Sequence, residues 1–164
     1  MSKIIPCLWF NYDAEEAAKF YVTLLPNSRI DKVTRSPADN PSMSAGAVLT
    51  VEFTLAGQPF VGLNGGPQFP FTEGVSFTID CEDQAEVDRL WETLSKDGGK
   101  PGQCGWIKDR FGLSWQIVPR ALNQLLQGSN REGAARAMQA MLKMSKLDVA
   151  ALQRAYDGAS APKH

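Results

Sequence analysis

At 164 residues, 43% of them hydrophobic, the chain has the apolar mass of one compact domain with a short extension. Its 17 basic and 18 acidic residues leave a net charge of −1, which gives no electrostatic pull toward nucleic acid or an anionic membrane. No apolar run approaches the roughly 20 residues of a bilayer span, and Ile4 opens strand-like sequence without a signal-peptide pattern, so a cytoplasmic setting is expected.

Cys7, Cys81 and Cys104 are odd in number and lack CxxC spacing, which favours buried free thiols over a disulfide framework or a zinc knuckle. The only histidine is His164, the last residue. A histidine triad, a histidine general base and a histidine-rich metal site are therefore excluded from the folded body.

In chain order, Ile4 to Phe10 forms a strand candidate that is apolar on both faces. Asp13 with Glu16 is the acidic version of a capping box. Ala14, Ala17, Ala18, Tyr21 and Leu25 then recur at helical spacing until Pro26 stops the helix. Strands are predicted over 30–36, 47–56 and 58–64, with Gly57 as a tight hairpin turn and the polar, proline-rich stretch 37–44 as a loop. Asn64-Gly65-Gly66-Pro67 is not followed by a helix pattern, and Pro67 to Phe71 reads as an extended linker rather than a phosphate loop.

The pattern then recurs. An alternating strand over 75–79 precedes a second cap, Asp83 with Glu86, and a stripe of Val87, Leu90, Trp91 and Leu94 closed by Gly98-Gly99. Short strands near 102–108 and over 112–118 flank an Asp109-Arg110-Phe111-Gly112 turn. The second cap lies 70 residues after the first, a spacing that fits duplication of a supersecondary unit and not a solenoid. From Arg120 the character becomes helical: Leu122, Leu125 and Leu126 up to Gly128, then a Ser129–Glu132 capping box before Ala135, Met138, Met141 and Leu142, then Asp148 before Val149, Leu152 and Tyr156. The methionines there suit core or dimer packing. The expected fold is α+β: module 1–71, module 72–119 and a helical extension 120–164 within one compact domain.

Strand alternation assigns faces. Leu49, Val51, Phe53 and Leu55 oppose Thr50, Glu52 and Thr54; Val61 and Leu63 oppose Gly62 and Asn64; Val75, Phe77 and Ile79 oppose Ser76 and Thr78; Leu113, Trp115 and Ile117 oppose Ser114 and Gln116. With the apolar parity under the helices, Glu52, Asn64, Ser76, Thr78, Ser114 and Gln116 line a semi-polar pocket walled by Leu8 and Phe10. The competing reading is a solvated polar face. Glu52 is the one ionisable member and the candidate general base. Of Trp9, Trp106 and Trp115, at least two are expected against helices, and Asp109-Arg110 reads as a structural ion pair.

Leu8-Trp9-Phe10-Asn11, Glu15-Glu16-Ala17 with Phe20-Tyr21, Trp106, Asp109-Arg110-Phe111-Gly112 with Ser114-Trp115-Gln116, and Ala140 to Met144 before Asp148 resemble the PhnB-like branch of the glyoxalase/bleomycin-resistance, or vicinal-oxygen-chelate, superfamily. That branch often carries a 3-demethylubiquinone 3-methyltransferase label. The resemblance implies two βαβββ modules forming a cupped sheet, in a homodimer. Its metal-dependent members place ligands where this chain has Pro6, Gly74, Gln116 and either Leu63 or Asn64. The expectation is a metal-free protein without cofactor that binds a small organic ligand; an enzyme using Glu52 as base is the alternative. A methyltransferase cofactor is not expected, because no glycine-rich loop follows a first parallel strand.

Overall fold

The structure, a computed structural model, describes residues 2–158, so His164 lies outside them. The chain forms two compact units, 1–71 and 72–164. In the first, strand β1 (Cys7–Phe10), helix α1 (Ala14–Tyr21) and strands β2 (Arg29–Arg35), β3 (Val48–Leu55) and β4 (Gln58–Asn64) give one sheet of order β1-β4-β3-β2. In the second, β5 (Ser76–Cys81), α2 (Gln84–Ser95), β6 (Lys100–Pro101), β7 (Trp106–Lys108) and β8 (Ser114–Pro119) repeat that order as β5-β8-β7-β6. In each sheet the first strand pairs parallel with the last and the other pairs are antiparallel. Helices α3 (Arg120–Leu126), α4 (Arg131–Met141) and α5 (Val149–Asp157) complete the second unit. No helix among the described residues is long and apolar enough to cross a membrane.

Each helix covers one face of its own sheet. The α1 stripe of Ala14, Ala17, Ala18 and Tyr21 is fully buried. Its small residues bring the helix close to the sheet, where Tyr21 meets Phe53 at 6.2 Å and Phe53 stacks on Phe60 at 5.5 Å. In the second unit Val87, Leu90 and Leu94 of α2 are buried, as are Ile79, Ile107, Trp115 and Ile117 of the sheet. The α2 cap is reciprocal: Asp83 Oδ1 accepts from the Glu86 amide at 2.9 Å, and Glu86 Oε2 accepts from the Glu82 amide at 2.9 Å. The first hairpin turns on Ala56 and Gly57, both at positive φ (47° and 83°), as a tight two-residue connection requires.

Several boundaries differ from the sequence reading. Helix α1 stops at Tyr21 instead of reaching Leu25; Leu24 is still buried, held by a turn from its amide to the Tyr21 carbonyl. The strand predicted over 102–108 is split, because the Gly102 amide bonds the Trp106 carbonyl at 2.8 Å and folds the chain back on itself. The loop after β2 is braced: Asn40 Oδ1 accepts from the Ser42 and Met43 amides, and the Tyr12 hydroxyl donates to the Ser42 carbonyl at 2.6 Å.

The helical extension is stitched into the second unit. Cys104 and Gly105 amides donate to the Met144 and Ser145 carbonyls, while Gln84 bonds both the Leu147 carbonyl and the Val149 amide. Val118, Leu122, Leu125, Ala137, Leu147 and Leu152 form its core. The phase of α4 differs from prediction. Its buried residues are Gly133, Ala134 and Ala137, whereas Met138 and Leu142 are 49% and 56% exposed. Close approach decides this, since a Cβ on Gly133 would lie 2.7 Å from the Tyr156 carbonyl oxygen of α5. The cap of α4 is Asn130, accepting from the Gly133 amide at 3.1 Å, and not Ser129.

The β7–β8 turn hangs on one carboxylate. Asp109, 3% exposed, accepts from the Phe111 and Leu113 amides and from Trp115 Nε1 at 2.9 Å. Asp109→Ala orphans three buried donors and is expected to cost about 3 kcal/mol in urea unfolding, a loss that Asn at this position restores only in part. Cys81 supplies a pH test. Burial, reinforced by the Glu86 and Asp80 carboxylates, pushes its thiol from 9.0 up to about 12. Folding favours the neutral thiol, so its contribution is complete below pH 9.0 and is lost as pH rises through about 12. Unfolding measured across that window should show falling stability, with a shallower fall in Cys81→Ala.

Candidate functional site

Cross-strand partners share a sheet face, so the register fixes what each face of the first unit carries. Val51 pairs Gly62 and Phe53 pairs Phe60, and all four lie on the α1 side; Glu52 pairs Val61 and Thr50 pairs Leu63 on the open side. In the parallel pairing Leu8 meets Gly62 and Phe10 meets Asn64 on the α1 side, while Trp9 meets Leu63 on the open side.

Three residues expected in a pocket with Glu52 therefore belong to the opposite face. Leu8 and Phe10 are 7% and 2% exposed core residues, and Phe10 lies 6.5 Å from Tyr21 of α1. Asn64 is also buried: its Oδ1 accepts from the Ala14 amide at 3.0 Å and its Nδ2 donates to the Val48 carbonyl at 3.0 Å. It caps α1, the role expected of Asp13, whose side chain makes no capping bond. The reversal has a steric cause. Val61 and Leu63 looked like the core pair because they are larger, yet an added Cβ on Gly62 would lie only 3.2 Å from the Ala14 methyl. The small residue has to face the helix.

Glu52 is exposed on the open face, across from Lys32 on β2 and Val61 on β4. It forms no hydrogen bond or ion pair among the described residues. It lines a cavity of about 830 Å³ together with Arg29, Asp31, Thr54 and Gln58 and an apolar wall of Ile5, Phe60 and Val61. Arg29 Nε lies 2.8 Å from Asp31 Oδ1, and the buried Thr54 donates its hydroxyl to Asp31 Oδ2 at 2.6 Å. Sequence reasoning missed Arg29 and Asp31 because they sit at a bulged edge strand, where alternation breaks between Ile30 and Lys32.

In the second unit the expected polar residues do share the open face. Ser76 pairs Ser114 and Thr78 pairs Gln116, while Phe77, Ile79, Trp115 and Ile117 lie on the other face, with α2. Gln116 Nε2 donates to Ser76 Oγ at 3.0 Å. Ser114 is 2% exposed whereas Thr78 is open to solvent. Trp106 and Lys108 join this face by pairing with Gln116 and Ser114, and Lys108 forms an ion pair with Glu73. The short strand that carries them gives too little alternation to read. Of the three tryptophans considered for stacking, only Trp115 is buried, at 3%; Trp9 and Trp106 are half-buried, one fewer than expected under helices.

The donors do not fit a divalent metal. A catalytic ion takes three or four protein ligands. Pro6 and Gly74 offer no side-chain donor, Leu63 is apolar and Asn64 Oδ1 is spent on α1, which leaves one neutral amide oxygen, that of Gln116. No group of three His, Cys, Asp or Glu among the described residues could hold an ion. Arg110 reaches Asp97 at 3.3 Å, and its guanidinium lies over the Phe111 ring.

Residues 2–118 match the family described as 3-demethylubiquinone-9 3-methyltransferase. A PhnB protein from Bacillus cereus is 31% identical, with 72% of this chain and 99% of that one covered and a TM-score of 0.65. A protein from Pseudomonas aeruginosa shares the fold at 21% identity, covering 73% and 98% of the two chains with a TM-score of 0.59. A glyoxylase/bleomycin resistance protein/dioxygenase domain from Frankia is 16% identical over 71% and 96%, with a TM-score of 0.44. Among curated proteins none matches the chain.

The position of Asn64 separates a structural role from a ligand-binding one. Asn64→Ala leaves the Ala14 amide and the Val48 carbonyl without their partner, and is expected to cost about 2 kcal/mol of stability. Chemical denaturation measures it; an unchanged midpoint would return Asn64 to the list of ligand-facing residues.

Proposed function

The chain belongs to the 3-demethylubiquinone-9 3-methyltransferase family, the PhnB-like branch of the vicinal-oxygen-chelate superfamily, and on that premise we propose that it binds a small organic molecule without a metal ion. The observation that carries this reading is the cavity beside Glu52. Its volume, about 830 Å³, suits a small-molecule site, and its wall joins an apolar side to a few polar groups. The open face of the second unit, taken by itself, carries the Gln116–Ser76 pair with Thr78 and Trp106, amide, hydroxyl and aromatic groups able to contact a small molecule.

Methyl transfer is not part of the proposal, although the family description names it. A nucleotide-type methyl donor sits on a glycine-rich turn after a central parallel strand. Here β1 is an edge strand, and the connection to α1 is Asn11-Tyr12-Asp13. The reading includes a cytoplasmic homodimer. Three free cysteines accord with a reducing compartment.

A second reading follows from Glu52 itself. A carboxylate without a partner on a cavity wall is placed to take a proton from a bound ligand, which would make the protein an enzyme of the superfamily's lyase or isomerase type. The two readings diverge on turnover. A binding protein returns its ligand unchanged, while a base catalyst forms product and loses about 10²–10⁴-fold of its rate in Glu52→Gln.

Thermal-shift measurements across Mg²⁺, Mn²⁺, Fe²⁺, Ni²⁺ and Zn²⁺, with metal analysis of protein purified without chelator, test the metal-free part. No ion is expected to stabilise the protein in a concentration-dependent way. Stoichiometric bound metal would overturn the reading and bring Lewis-acid chemistry back to this chain.

A further inference from the structure

We infer that the Glu52 cavity of the first unit selects a protonated amine carried on an apolar body, with Glu52 as the recognising group. This rests on the small-molecule reading above and narrows it to a chemical class.

The argument is a charge inventory of one wall. The cavity is lined by three charged side chains, Arg29, Asp31 and Glu52. Two of them already satisfy each other. Arg29 Nε sits 2.8 Å from Asp31 Oδ1, and the other Asp31 oxygen accepts the Thr54 hydroxyl at 2.6 Å. Asp31 already engages Arg29 Nε, and a ligand carboxylate that used the remaining guanidinium N–H groups would lie beside the Asp31 and Glu52 carboxylates. Glu52 differs, because no side chain among the described residues bonds to it. Its neighbours across the sheet are Lys32 and Val61, and Lys32, the nearest cation in the register, forms no ion pair with it.

The wall therefore presents one uncompensated negative charge, which a neutral ligand would cover without pairing and a cation would pair. A bare metal ion is the poorer guest, since a single carboxylate next to a guanidinium falls short of three or four donors. An organic ammonium needs only one. Beside the charge, Ile5, Pro59 and Val61 offer an apolar surface, so the second requirement is a hydrocarbon body.

Titration of ¹⁵N-labelled protein with 2-phenylethylamine, 2-phenylethanol and phenylacetate at neutral pH tests this with three probes of one shape and different charge. The amine is expected to shift the amides of Glu52, Gln58 and Val61 saturably, and to bind about fivefold or more tightly than the alcohol. Glu52→Gln, an isosteric change at an exposed position, should bring amine and alcohol within about twofold of each other, and Lys32→Gln should tighten the amine by removing a like charge. Equal affinity of alcohol and amine in the unmodified protein, or tightest binding by phenylacetate, would overturn the cation inference and leave the small-molecule reading in place. If none of the probes moves these amides, both fail at this face.

Discussion

One helix can bury only one face of a sheet, and in each unit a single helix, α1 or α2, follows the first strand and packs on its sheet. That constraint organises everything else. The covered faces hold Tyr21, Phe53 and Phe60 in one unit and Ile79, Trp115 and Ile117 in the other. Every polar side chain with a chemical use is left to the open faces. Because α1 is built on alanines, its backbone comes so near the sheet that the strand beneath must contribute Gly62, and that choice sends Val61 and Leu63 to the open side. The composition of the open face is in this sense a by-product of how the core was closed.

The two open faces differ in character. That of the first unit carries Glu52 and Lys32 beside a cavity whose other charges are paired internally. That of the second is nearly neutral in its middle, with Ser76, Thr78 and Gln116; toward its edge it carries Lys100 and Lys108, the latter held by Glu73. Recognition by the first is a matter of charge, whereas the second offers orientation through hydrogen bonds. Among the described residues, neither face gathers three His, Cys, Asp or Glu side chains that could hold an ion.

Most of the architecture was legible in the sequence, since it is written in local signals: the Asp83–Glu86 box, the Ala56-Gly57 turn, and the alternation of β5 and β8. Those signals also put Ser76, Thr78, Ser114 and Gln116 on one face correctly. The failures came where residue size was used to choose the buried side. On β4 and on α4 the smaller residues face the core, because Gly62 lies under Ala14 and Gly133 lies against the Tyr156 carbonyl. Close backbone approach is a property of the neighbour, and no alternation rule applied to one strand contains it. Asn64 was misread for a related reason: a polar residue at the end of a strand suggests a ligand contact, and its true partners lie 50 and 16 residues away in the chain.

The parallel pairing of β1 with β4 also carries a consequence for how the chain is made. Ribosomes deliver the N-terminus first, yet β1 has its partner only once Asn64 has emerged, and the Ala14 amide waits for that same side chain. Until then Leu8, Trp9 and Phe10 form an apolar segment without its strand partner. The β3–β4 pair closes on Ala56 and Gly57 and the β2–β3 pair spans the loop 36–47, so both antiparallel pairings join strands nearer in sequence than β1 and β4. In both units the first strand in sequence thus depends on the last for its one ladder, β5 on β8 as β1 on β4.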